Sequence, residues 1–176
     1  MLINALKLIL SSLADLDFII FEPAAGKQNA RSLHLKLMKV DIGNNFYMGH
    51  KIYIRNRGRL KLGERCGIGS FAQIWNYAQI SIDDDFLAAS NLTLNSATHD
   101  PLSLTPQGCK IKIGKRVWCG TNVTILAGVT IGNNVVIGAG SVVVKDIPSD
   151  CIAAGVPAKK IRDLDRSHVQ CWNPFK

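Results

Sequence analysis

Of the four histidines in the chain, His99 is the one whose setting offers it to chemistry. It lies in "LNSATHDPLSLTPQGCKIKIG", Leu94 to Gly114, a polar, proline-bearing stretch flanked on both sides by a regular aliphatic rhythm. An imidazole titrates near pH ~6.5 in water, so a neutral ring is available at physiological pH to take a proton from a hydroxyl. The competing reading is a turn histidine bonded to a local carbonyl, next to Asp100-Pro101 acting as turn chemistry. His34 and His168 fall in segments read as helical, and His50 sits mid-hexad on a coil face. Five cysteines, at 66, 109, 119, 151 and 171, are an odd number with no CxxC pair. That argues against a disulfide framework and a structural zinc site, so no metal is expected. A reduced, cytoplasmic setting is the economical inference.

The elements that must position His99 are legible in the repeat. Ile113, Cys119, Ile125, Ile131, Ile137 and Val143 stand six apart, with Gly114, Gly120, Gly132 and Gly138 following four of them and Val117, Val123, Val129 and Val135 four places after theirs. This is a hexapeptide repeat, the signature of a parallel β-helix built of three short flat faces. The first and fifth residues of each hexad point into the bore. The glycine serves where the chain turns with positive φ, or where the next coil comes close. Asn133 and Asn134 suit the same corners. Carried backwards, the register gives triples 42/48/54, 62/68/74, 82/88/94, 113/119/125 and 131/137/143, each predicting one triangular coil. Every slip between triples falls at one corner, and residues 100–112 read as a loop ejected there. A long loop in an economical repeat points to function.

The rest of the chain reads as support. Residues 1–41 form an N-terminal helical lead-in, 42–150 the β-helix with its loop at 100–112, and 151–176 an extended crossing followed by a capping helix. Apolar residues at 2, 6, 9, 13, 16 and 20 follow helical spacing, and Lys7, Asp15 and Asp17 make that piece too polar to span a membrane. It reads as a packed amphipathic helix, the alternative being weak membrane-surface association through this helix. No signal peptide is recognised. With 176 residues, 47% hydrophobic and 19% charged, one domain is expected. The net charge of +8 suits anionic small molecules or glycans, whereas aromatics at 7% and scattered cations argue against nucleic acid. The dense run "IRNRGRLKLGER" fits a solvated strand edge as well as a phosphate patch.

"NSATHDP", then a loop, then "IKIGKRVWCGTNVTILAGVTIGNNVVIGAGSVVVKDIPSDCIAAGVPAKKIR" resembles the hexapeptide-repeat O-acetyltransferases of the galactoside, maltose and colanic-acid branch, over roughly residues 42–162. The resemblance implies a left-handed parallel β-helix, a homotrimer with active sites between adjacent prisms, and acetyl-CoA as acyl donor. It makes His99 the catalytic base. Gly120 or Thr121 would supply a backbone N–H to the thioester oxyanion. Trp118 matches a tryptophan bordering the cleft, with a packing or trimer-interface role equally open. Ala139 matches a backbone contact to the pantetheine arm, and Lys145, Lys159 and Arg162 match basic positions near the nucleotide phosphates, a solvated face being the plain alternative. Val144 departs from the threonine common there.

On the acceptor side the familiar acidic sugar-binding pattern is replaced by "SFAQIWNYAQISI". Trp75, Asn76 and Tyr77 are the candidate acceptor residues, ordinary corner residues being the alternative. The implied activity is O-acetyl transfer to a sugar hydroxyl, and the aromatic "WNY", the basic run and the N-terminal helix favour a surface-polysaccharide precursor. The alternatives are N-acetylation of an amino-sugar nucleotide, acylation of serine or an antibiotic, and a non-catalytic solenoid scaffold. A β-helix carbonic anhydrase would need three converging histidines, which the chain lacks.

Overall fold

The structure, a computed structural model, describes residues 35, 40–56 and 60–165. Within them the chain winds through three flat parallel sheets. Face I stacks β1 (Asp41–Ile42), β4 (Leu60–Leu62), β7 (Ile80–Ile82), β12 (Ile111–Ile113) and β15 (Thr130–Ile131). Face II stacks β2 (Tyr47–Met48), β5 (Gly67–Ile68), β8 (Leu87–Ala88), β13 (Trp118–Cys119) and β16 (Val135–Ile137), then adds β18 (Cys151–Gly155) and β19 (Ala158–Asp163). Face III stacks β3 (Tyr53–Asn56), β6 (Gln73–Asn76), β9 (Thr93–Asn95), β14 (Thr124–Ile125) and β17 (Val142–Val143).

The hexad register is the pairing register. Ile42, Leu62, Ile82, Ile113 and Ile131 align up face I. Met48, Ile68, Ala88, Cys119 and Ile137 align up face II. Ile54, Ile74, Leu94, Ile125 and Val143 align up face III. All are buried except Ile42, which is half-buried and packed on the core at the open first coil. Strand alternation does the sorting: in β4 and β12 the outer residues of the three are buried and Lys61 or Lys112 between them is exposed. No single coil could bury this column alone, so stability comes from stacking.

The corners correct one detail of the repeat. Gly114, Gly120, Gly132 and Gly138 do not have positive φ. The left-handed residue is instead the fourth of the hexad, and it is seldom glycine: Lys51, Arg65, Phe71, Asp85, Arg116, Asn122 and Asn134 all have φ between 50° and 61°. Stacking supports this conformation, because the N–H of the left-handed residue donates to the coil below, as in Arg65 to Asn44 O (3.0 Å), Asp85 to Glu64 O (2.9 Å) and Asn134 to Lys115 O (2.8 Å). Glycine at the second position answers to close approach: a Cβ on Gly120 would stand 2.7 Å from Ala139 N. Asn133 works otherwise, its Oδ1 accepting from Lys115 N–H at 2.8 Å.

All the register slips fall where face III gives way to face I, and the largest excursion there is not the loop 100–112. It is a hairpin of β10 (Ala97–His99) and β11 (Pro106–Gly108). Cys109 N–H donates to Ser96 O (3.0 Å) and closes the neck, and Ile111 N–H donates to Gln79 O (3.0 Å), returning residues 111 and 112 to face I. At the far end, the extended crossing after residue 150 is the antiparallel pair β18 and β19, with β18 parallel to β16. Of the crossing and capping helix expected over 151–176, residues 151–165 carry the strand pair and no helix, and the rest lies outside the described residues. The helical lead-in expected over 1–41 also lies outside them, apart from Leu35 and Val40–Asp41; Leu35 and Val40 are buried in the core. Among the described residues no helix is long and apolar enough to cross a membrane.

Candidate functional site

His99 ends β10 opposite Pro106, with its side chain exposed. Two polar knots hold the hairpin that carries it. At the tip, Asp100 Oδ1 accepts from Leu102 N–H (3.0 Å), Ser103 N–H (2.8 Å) and Ser103 Oγ–H (3.1 Å). These bonds hold the Asp100 carboxyl below the usual carboxylate range. The Asp100-Pro101 turn chemistry is therefore present, and it shapes the tip without engaging the imidazole.

At the neck, Ser96 is wholly buried. Its Oγ accepts from Ala78 N–H at 2.9 Å and has two carbonyls in reach for its own proton, Ala78 O at 3.0 Å and Trp75 O at 3.2 Å. β11 passes tightly over the same corner, where a Cβ on Gly108 would meet Tyr77 Cδ1 at 2.7 Å. Ser96 was not singled out by sequence, although a signal existed: it is a polar residue two places after the inward Leu94, just where the excursion begins.

The acceptor candidates divide. Tyr77 is exposed beside the hairpin. Trp75 is half-buried on the outside of face III, its ring centroid 4.8 Å from that of Tyr53 at a 45° tilt. Asn76 is fully buried, because strand alternation turns it inward beside Ile74. Direct contact with an acceptor is thereby withdrawn for Asn76.

A second group of candidates gathers along face II and its edge with face III. Trp118 is 48% exposed, between Leu87 and Val136 in the stacked strands. Gly120 and Thr121 turn the corner after it, and Ala139 stands exposed one coil further on. Gly120 N–H donates to Ile137 O at 2.8 Å, so this amide is spent on the ladder and is not an oxyanion donor. The N–H groups of Thr121 and Ala139 have no acceptor among the described residues, and both residues are exposed. Lys159 and Arg162 are exposed on β19 of the same face, while their neighbour Lys160 is paired with Asp163 at 2.5 Å. Lys145 is exposed after β17, at the edge shared with His99.

The catalytic candidate and the thioester candidates thus occupy different edges of one prism, with face III between them. Burial in the bore pushes the Cys119 thiol up to about 12 and the Cys66 thiol up to about 11, which keeps both protonated near neutrality. Among the described residues no three His, Cys, Asp or Glu side chains are grouped to hold a metal ion.

Residues 110–145 match the family described as bacterial transferase hexapeptide (six repeats). The chain is 37% identical over 149 residues to galactoside O-acetyltransferase of Escherichia coli K12, covering 81% of this chain and 73% of that one. It is 34% identical to WbbJ of the same strain, a protein named for O-acetyl transfer in lipopolysaccharide biosynthesis, over 76% of each chain. Among solved structures, a galactoside acetyltransferase in complex with coenzyme A superposes with a TM-score of 0.69 at 29% identity, over 90% of this chain and 80% of the other.

Proposed function

This chain belongs to the hexapeptide-repeat acetyltransferases, and on that premise we propose that it moves the acetyl group of acetyl-CoA to a hydroxyl of a surface-polysaccharide precursor, with His99 as the base. The observation that carries this reading is His99 itself, exposed on a hairpin braced at both ends, at the one corner where the repeat opens. In the reaction the neutral imidazole takes the acceptor hydroxyl's proton as its oxygen attacks the thioester carbonyl. The Thr121 N–H supplies a bond to the tetrahedral oxyanion. Collapse expels the coenzyme A thiolate, which recovers the proton from the imidazolium.

The separation of His99 from Thr121 and Ala139 supports a site built between two copies. We place the protein as a homotrimer of left-handed prisms in which the hairpin edge of one copy faces the Trp118 edge of the next. That packing joins Lys145 of one copy to Lys159 and Arg162 of another around the nucleotide phosphates, and Trp118 then borders the cleft. Ala139 N–H serves the pantetheine arm. The surface-glycan assignment draws on Trp75 and Tyr77 beside the hairpin, on the net charge of +8 and on the lipopolysaccharide relative.

Thiol release from acetyl-CoA against neutral disaccharides, amino-sugar nucleotides, serine, chloramphenicol and glycan precursors tests the acceptor. His99→Ala should fall by about 10² or more with the best acceptor. Undiminished turnover in the folded variant overturns the base, and a stable, active monomer by sedimentation overturns the shared site.

A further inference from the structure

The outer surfaces of the three faces differ in chemistry. Face I presents Lys61, Ser81 and Lys112, and face II presents Leu87, Trp118 and Val136. The first three coils of face III present two neighbouring columns of another kind. One column is Tyr53, Gln73 and Thr93, and the other is Arg55, Trp75 and Asn95. Three strands at about 4.8 Å spacing and two outward residues at about 6.6 Å make a shelf of roughly 10 by 7 Å, the footprint of one or two sugar rings. Tyr53 and Trp75 lean together at its centre, and Trp75 Nε1–H reaches Gln73 Oε1 at 3.4 Å.

We propose that this shelf is a subsite for an acidic oligosaccharide, holding a sugar unit next to the one that is acetylated; it rests on the glycan O-acetyltransferase reading above. The C–H face of a pyranose packs on the electron-rich indole and phenol rings. Amide and hydroxyl side chains of Gln73 and Thr93 match ring hydroxyls, and the Arg55 guanidinium matches a uronate carboxylate with a fork that lysine cannot provide. The shelf is joined to the reacting centre. Trp75 O accepts from Ser96 N–H at 3.0 Å, and Asn95 Oδ1 accepts from Ala97 N–H at 2.9 Å, so the shelf ends where the His99 hairpin begins. What sets face III apart is that its aromatic rings stand among the side chains of Arg55, Gln73, Thr93 and Asn95, a mixed aromatic and polar make-up that suits a glycan, whereas the face II column of Tyr47, Leu87, Trp118 and Val136 carries no charged side chain or amide.

Calorimetry on the intact protein without acetyl-CoA isolates binding from catalysis. The probes are a hexamer of α-1,4-galacturonate, galacturonate monomer and maltohexaose. The acidic hexamer should bind at least about tenfold more tightly than the monomer. Trp75→Ala and Tyr53→Ala should each lose most of that gain, Trp75→Phe should keep much of it, and Arg55→Gln should bring the acidic and neutral hexamers level. Equal binding of hexamer and monomer, hexamer affinity unchanged in Trp75→Ala, or loss of oligomeric assembly in that variant overturns the subsite. If the hexamer binds through Trp75 but no glycan is acetylated, the transferase reading fails and the shelf stands. If glycans are acetylated but none binds in a Trp75-dependent way, the shelf fails and the transferase reading stands.

Discussion

Replacing Ser96 with alanine is expected to damage the neck of the hairpin at a calculable cost. The site is sealed from solvent, and Ser96 Oγ is the acceptor for Ala78 N–H at 2.9 Å. Its proton satisfies one of two carbonyls, and Trp75 O keeps a second donor in Ser96 N–H when the hydroxyl goes. The uncompensated loss is therefore the buried Ala78 N–H, and with it the Ala78 carbonyl when the hydroxyl proton points there, together worth about 1–3 kcal/mol. In a chain of this size each kcal/mol corresponds to roughly 2–4 °C in Tm. Urea unfolding of Ser96→Ala should show a lower midpoint at unchanged slope, and the Ala78 amide should exchange faster. Turnover should drop more than donor KM rises, since the same knot fixes Trp75, Ala78 and Cys109 around the base of the strand bearing His99. Ser103→Ala, at the exposed tip, serves as the comparison and should cost under about 0.5 kcal/mol. Stability within that same margin for Ser96→Ala, with Ala78 exchange unaltered, would refute the bracing role.

Gly120→Ala should destabilise by about 1–3 kcal/mol and raise the donor KM, because the new Cβ would press on Ala139 N at 2.7 Å and on its Cα at 3.0 Å, backbone atoms that cannot step aside; urea unfolding and steady-state kinetics check both. Asp84 accepts from Glu64 N–H at 3.0 Å and from Lys115 Nζ at 3.0 Å, and these bonds hold its carboxyl below the usual range. Its folded-state pKa being depressed, the stability it contributes is complete above about pH 5 and is lost as pH falls through the folded value. Asp84→Asn keeps an acceptor for Glu64 N–H but loses the ion pair, which is 57% exposed on the lysine side and so contributes at most about 1 kcal/mol near neutrality. Unfolding curves of the two proteins should differ slightly at pH 7 and converge near pH 2; a constant gap across the range would contradict the linkage.

The hexad period carried the coils, the strand register and the corner of the excursion, because every inward position sees the same narrow bore and only aliphatic or small side chains fill it. That constraint is local and repeated, so Ile113, Cys119, Ile125 and their kin announce it in one dimension. The period also marked His99 as the residue where the rule lapses. It could not say that Gly120 is spent on the ladder while Thr121 N–H is open, since both follow the same motif and the difference lies in which carbonyl of the next coil stands beneath. Nor could it turn Asn76 inward and Trp75 outward: the sequence "WNY" offers three polar-aromatic residues alike, and only strand alternation within a closed coil sorts them. Left-handed backbone at Arg65 or Phe71 contradicts residue preference and persists because the coil below supplies an acceptor. The division of His99 and Thr121 between two edges is likewise tertiary. Their spacing along the chain is set by the hairpin, but which edge each occupies depends on how eighteen-residue coils stack, and that stacking exists only once the bore is filled.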